Sequence, residues 1–236
     1  MARFLVIDHL DFSADPEEFA PVIALLIVVL TMLFSAISFG CCIMYAVRFY
    51  KNLFTDEGYI TWTLPASPLT QLWAKILSAS IWYVLDLTIC FAAAWFLISG
   101  DNIQSALERI KPDFQAALGM SFASFCGLVV FFSFVGILSC VLFIYTSIAI
   151  GQLVPAHRII VSIAVYFILN LITQIISIGV SIITSVLPDY VFSPAQTSFS
   201  EYFFQMLLIG TCTTTVLAIA GYFITYRILQ RNVNLI

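Results

Sequence analysis

Charge is the scarcest property of this chain. Of its 236 residues, 9% are Asp, Glu, Lys or Arg and 62% are hydrophobic, and the mean hydropathy is +1.06. A soluble domain carries roughly 25% charged and 45–50% apolar residues. A surface drawn from this composition would not stay wet, so the chain reads as an integral membrane protein. Nine basic residues face thirteen acidic ones, a mildly acidic balance that argues against nucleic acid as a partner. The catalytic constellations are missing too. His9 and His157 make no site, and there is no Ser-His-Asp set, no H-E-x-x-H and no carboxylate pair. None of the ten glycines precedes a lysine, so the phosphate cradle G-x-x-x-x-G-K-[ST] is absent. If ATP drives this protein, a separate chain hydrolyses it. The six cysteines all fall in apolar runs, with no C-x-x-C pair. They read as small packing residues rather than metal ligands or a disulfide framework. No small-residue cleavage site follows a short apolar core near the start, so no signal peptide is expected.

Long apolar runs, by contrast, are plentiful. A bilayer core about 30 Å thick takes about 20 apolar helical residues to cross, and five stretches qualify. Phe19–Val47, Phe114–His157, Ile159–Pro188 and Tyr202–Tyr226 contain no Asp, Glu, Lys or Arg, and Leu72–Ser99 contains Lys75 and Asp86. β-Barrel spans would alternate apolar and polar residues. These runs are continuous, so the expected fold is an all-α polytopic membrane protein with five spans, near 21–47, 72–99, 117–150, 159–187 and 202–227. An acidic lead covers 1–20 and a polar loop covers 48–71. Phe114–His157 is longer than one span needs. A single long helix ending near Gly151 is expected, the alternative being a break near Ser133–Gly136.

Local signals fix several ends. Asp15, Pro16 and Glu18 form an N-cap, a first-turn proline and a capping acid. Ser67-Pro68 repeats the cap and the proline before the second span. Pro188–Ser200 reads as a connection able to dip back into the membrane. Lysine and arginine in short loops set the orientation. With Arg48, Lys51 and Lys75 cytoplasmic, Arg158, Arg227 and Arg231 also fall inside, and Arg3, Arg109 and Lys111 fall outside. The C-terminus is then cytoplasmic and the N-terminus outside.

The one long polar passage between apolar segments is Arg48–Lys75, RFYKNLFTDEGYITWTLPASPLTQLWAK. Leu53, Phe54, Tyr59, Ile60 and Trp62 offer an apolar contact surface, and Asp56 and Glu57 a charge signature for choosing a partner. A partnerless interfacial loop with aromatic anchors suits the same residues. The sequence Glu57-Gly58, then Thr61 to Leu64, Pro65, Ala66-Ser67, Leu72 and Lys75 resembles the loop of ABC-2 type transporter permeases. There a Glu-Gly pair precedes a short helix, a proline, small residues and a lysine ten residues on. The interval from Gly58 to Pro65 is about two residues shorter than in the commonest form, and Asp-Glu-Gly-Tyr with Thr-Leu-Pro is similar to Firmicutes permeases. Ile150-Gly151-Gln152 before a basic turn and Asn234-Leu235 in a basic tail are alike too.

The resemblance implies the ABC-2 exporter fold, in a bacterial cytoplasmic membrane, as a subunit paired with a second permease chain and a separate ABC ATPase that carries ATP and Mg. Phe54, Asp56, Glu57, Gly58, Tyr59, Trp62, Leu64 and Pro65 would make up the coupling site. The family has six helices. The five spans here correspond to its second through sixth, so its first helix is expected to be missing.

Within the spans, Asp86 is the sharpest residue, because an intramembrane carboxylate usually faces a bundle interior or a pathway. It either lines a substrate route with Asn170 and Gln174, or holds neighbouring helices together. The mid-span threonines 211, 213, 214 and 215 are expected to bond their own helix. Two rival functions stay open: a non-transporting membrane anchor or regulatory subunit, and an ion-coupled secondary carrier using Asp86.

Overall fold

The computed structural model describes residues 16–55, 58, 63, 65–98, 112, 115, 119–192 and 199–231, and among these it contains helices and turns but no strand. Six helices follow one another: α1 Pro16–Phe54, α2 Pro68–Ile98, α3 Phe122–Gly151, α4 Arg158–Ile183, α5 Val186–Phe192 and α6 Phe199–Arg231. All but α5 contain a segment long and apolar enough to cross a membrane. The chain is an all-α, multi-pass membrane protein. In lipid, helices satisfy their own backbone, which is why this composition folds this way.

Helix ends follow local chemistry. Pro16 opens α1 and Pro68 opens α2, each where its missing N–H costs nothing. The Ser67 hydroxyl accepts the Thr70 N–H at 3.2 Å and lies 2.9 Å from the Thr70 hydroxyl. Asp15 lies outside the described residues. α3 starts later than its apolar run because Ser121 caps it, accepting the Ser124 N–H at 3.1 Å. Gly119, at φ +66°, turns the chain just before it. From there α3 runs unbroken through Ser133–Gly136 to Gly151. Pro188 does not end structure either, since it sits inside the short helix α5. The ring of Tyr190 on α5 stacks on Tyr202 of α6, with centroids 4.0 Å apart.

Two compact units emerge. The first comprises Met1–Cys41 and Trp82–Cys126, the second Cys42–Ile81 and Gly127–Ile236. In the first, Ser38 of α1 and Asp86 of α2 are joined by a hydrogen bond, and Tyr83 is its one buried apolar residue among those described. The second contains the rest of the described buried core: Tyr45, Phe49, Leu53 and Phe54 from α1, Leu72, Ile76 and Ala79 from α2, the later half of α3, and Ala218, Ile228 and Leu229 from α6. α6 closes on α3 at a glycine. A Cβ at Gly221 would meet Thr146 Oγ1 at 2.6 Å, and Thr225 donates to Thr146 at 3.1 Å. α4 packs on α6, and α5 touches both.

Candidate functional site

The ends of the Arg48–Lys75 loop are held more firmly than its composition suggests. Where α1 finishes, Phe49 stacks flat on Tyr145 of α3, with centroids 3.8 Å apart and planes 10° from parallel. The Tyr145 hydroxyl then donates to the Lys75 carbonyl on α2 at 3.1 Å. One α3 side chain therefore grips both helices that flank the loop. Leu53 and Phe54 are 0% and 1% exposed, and Phe54 meets Phe49 edge-on at 6.0 Å.

This corrects one expectation. Leu53 and Phe54 are not part of an exposed contact surface; they anchor the loop to the bundle. The sequence misleads here because an aromatic residue beside a polar loop has the same pattern whether it faces a partner or the last turn of its own core. Beyond Phe54 the chain turns sharply. The Thr55 hydroxyl caps back to the Lys51 carbonyl at 2.6 Å, and the buried Gly58 donates its N–H to the Thr55 carbonyl at 2.7 Å. Pro65 and Ser67 are exposed. Asp56, Glu57, Tyr59, Trp62 and Leu64 lie outside the described residues.

Tyr145 is the residue that sequence reasoning missed. Nothing in the apolar run FIYTSIAI separates it from its neighbours. A tyrosine near the end of a span is the available hint, since its hydroxyl needs a partner when buried. A second tight contact closes the following turn. A Cβ on Gly151 would collide with the Ser162 hydroxyl and come within 2.9 Å of the Arg158 carbonyl. Arg158 donates to the Gln152 side-chain oxygen at 3.4 Å.

The intramembrane polar residues divide by how they are satisfied. Asp86 is half-buried and accepts the Ser38 hydroxyl at 3.1 Å. Asn170, also half-buried, donates to the Tyr166 carbonyl one turn back at 2.8 Å. Gln174 is exposed. The threonines at 211, 213, 214 and 215 each bond a carbonyl of their own helix. Asp86 and Asn170 thus act in part as ties between turns and helices. Among the described residues no group of three His, Cys, Asp or Glu side chains forms a metal-binding cluster. No family model, curated protein or solved structure matches this chain.

Proposed function

We propose that this chain is the membrane-spanning subunit of an ATP-driven ABC exporter of the ABC-2 type, receiving motion from a separate ATPase through the Arg48–Lys75 loop. Two supports carry the reading. One is the resemblance of Glu57-Gly58, Pro65 and Lys75 to the coupling loop of that family. The other is the grip of Tyr145 on both flanks of the loop, through Phe49 and the Lys75 carbonyl. A lever works only if its hinge end does not slip. Here a push on the loop would move the parts of α1, α2 and α3 that lie in the second unit as one packed cluster, a bistable packing of the sort that domain closure exploits. In this reading the loop is cytoplasmic, the partner supplies ATP and Mg, and Asp56 and Glu57 select the partner.

The test is affinity purification of the chain from native membranes, comparing wild type with Glu57→Lys. Phe54 is left intact, because its burial means that truncating it would damage the fold. An ATPase that accompanies the wild type and is lost from Glu57→Lys is the expected result. An ATPase retained by both forms, or recovered with neither, overturns the coupling role of the loop.

A further inference from the structure

Two hydrogen-bond donors are left over where α3 hands the chain to α4. Gln152, one residue past α3, is 8% exposed, and its amide nitrogen is buried without an acceptor. Arg158, the first residue of α4, is partly exposed, but its Nε is buried and likewise without an acceptor. The two planar groups already touch, Arg158 Nη1 donating to Gln152 Oε1 at 3.4 Å. Each leftover nitrogen shares a carbon with one of the touching atoms, so both belong to one small cluster. A buried donor with no acceptor carries its full desolvation cost. Two of them in one cluster point to an acceptor that the chain itself does not supply.

The fold assembles this cluster. Gly151 lets the end of α3 approach the first turn of α4, since a Cβ there would come within 2.9 Å of the Arg158 carbonyl. That approach brings Gln152 to the N-terminus of α4, where His157 makes no side-chain cap bond and the helix favours negative charge. Arg158 is also the only charged residue between Phe114 and Pro188, so no carboxylate of that stretch competes for it. We propose that the α3–α4 turn binds a phosphate group, carried on an anionic lipid headgroup or as the free ion, between the Arg158 guanidinium and the Gln152 amide.

Phosphate fits on chemistry and on place. Its oxygens are strong acceptors, and a guanidinium fork with an amide N–H matches several of them at once. The turn joins two helices that are each long and apolar enough to cross a membrane, which sets it at the depth of lipid headgroups. Leu153 and Ile160 flank it, 46% and 66% exposed, and offer an apolar surface for acyl chains. Both leftover donors are screened from solvent, so a ligand meets the guanidinium first and the two flexible side chains rotate to present them. Nothing here depends on the Arg48–Lys75 loop, so the inference goes beyond the transporter reading.

The test is thermal unfolding of the full chain in a neutral detergent. Phosphatidylglycerol, diacylglycerol, inorganic phosphate and sodium chloride are titrated separately, the two salts at matched ionic strength, and the rise in midpoint gives the affinity. A rise with phosphatidylglycerol alone assigns the site to a lipid; a rise with inorganic phosphate above the chloride control assigns it to the free ion. Arg158→Gln is expected to weaken binding roughly a hundred-fold, and Gln152→Leu, which keeps the positive charge, roughly ten-fold. No rise with either phosphate species, an equal rise with diacylglycerol, or undiminished binding in Gln152→Leu would each overturn the proposal. The wild-type titrations decide it without the variants should either fail to fold.

Discussion

The two compact units are built from the same kind of apolar helix and are held together by different means. The first unit has almost no buried side chain among its described residues, Tyr83 being the exception, and its described interhelical tie is Ser38 to Asp86. The second is knitted by interlocking side chains around Phe49, Tyr145 and the Thr146–Thr225 contact. The difference teaches what a bilayer asks of a helix. Lipid is as apolar as leucine, so burying leucine between helices gains little by transfer; association comes from close packing and interhelical hydrogen bonds. Where shapes interlock, a core forms. Where they do not, few described side chains are buried, and Ser38–Asp86 supplies a polar tie between two helices.

The sharpest way to break this contrast is to remove matched large side chains from each unit. Phe49→Ala takes away a 1% exposed ring, together with its stack on Tyr145. The expected loss is about 3–5 kcal/mol, as for core phenylalanines generally. Leu33→Ala in the first unit removes a side chain that is 54% exposed and is expected to change stability by within about 0.5 kcal/mol. Unfolding of both variants in detergent or bicelles, against wild type, is the measurement. Equal losses would erase the contrast.

A smaller effect is expected where α2 begins. Ser67→Ala removes the acceptor for the Thr70 N–H and is expected to cost about 1 kcal/mol, whereas Ser67→Asp should restore the cap. Hydrogen exchange at the first turn of α2 should rise in the first variant and return to the wild-type level in the second. Because Leu72 and Ile76 lie just beyond this cap in the packed cluster, fraying should stop there. Fraying that passes through Lys75 would mean that the grip of Tyr145 is weaker than its geometry implies.

The spans, the caps at Ser67 and the proline starts were legible in the sequence because each is a local property. Apolar length, a cap acceptor and a missing N–H are written within a few residues of where they act. The packing partners were not legible. Tyr145 reaches a carbonyl 70 positions away, and Ser38 meets Asp86 48 positions away. No periodicity announces either pairing. Phe54 shows the same limit from the other side, since its sequence context matches an exposed anchor as well as a buried one. Gln174 was visible as a polar residue in a span, but its exposure was not, because no local pattern says which face of a span its neighbours cover.

The finest prediction concerns the tie in the first unit. If Ser38 and Asp86 are structural glue, their coupling is measurable and modest. A double-mutant cycle of Ser38→Ala and Asp86→Ala should return about 0.6 kcal/mol, and no more than about 2 kcal/mol, in line with polar pairs between membrane helices. Asp86→Asn keeps an oxygen able to accept the Ser38 hydroxyl, so it should preserve stability and, in the permease reading, leave ATPase-dependent transport running. An ion-coupled carrier would respond in the opposite way. Asparagine cannot release a proton or balance a cation, so transport would stop while the fold stayed intact. Measuring stability and transport together on Asp86→Asn therefore separates a carboxylate that holds two helices from one that carries charge.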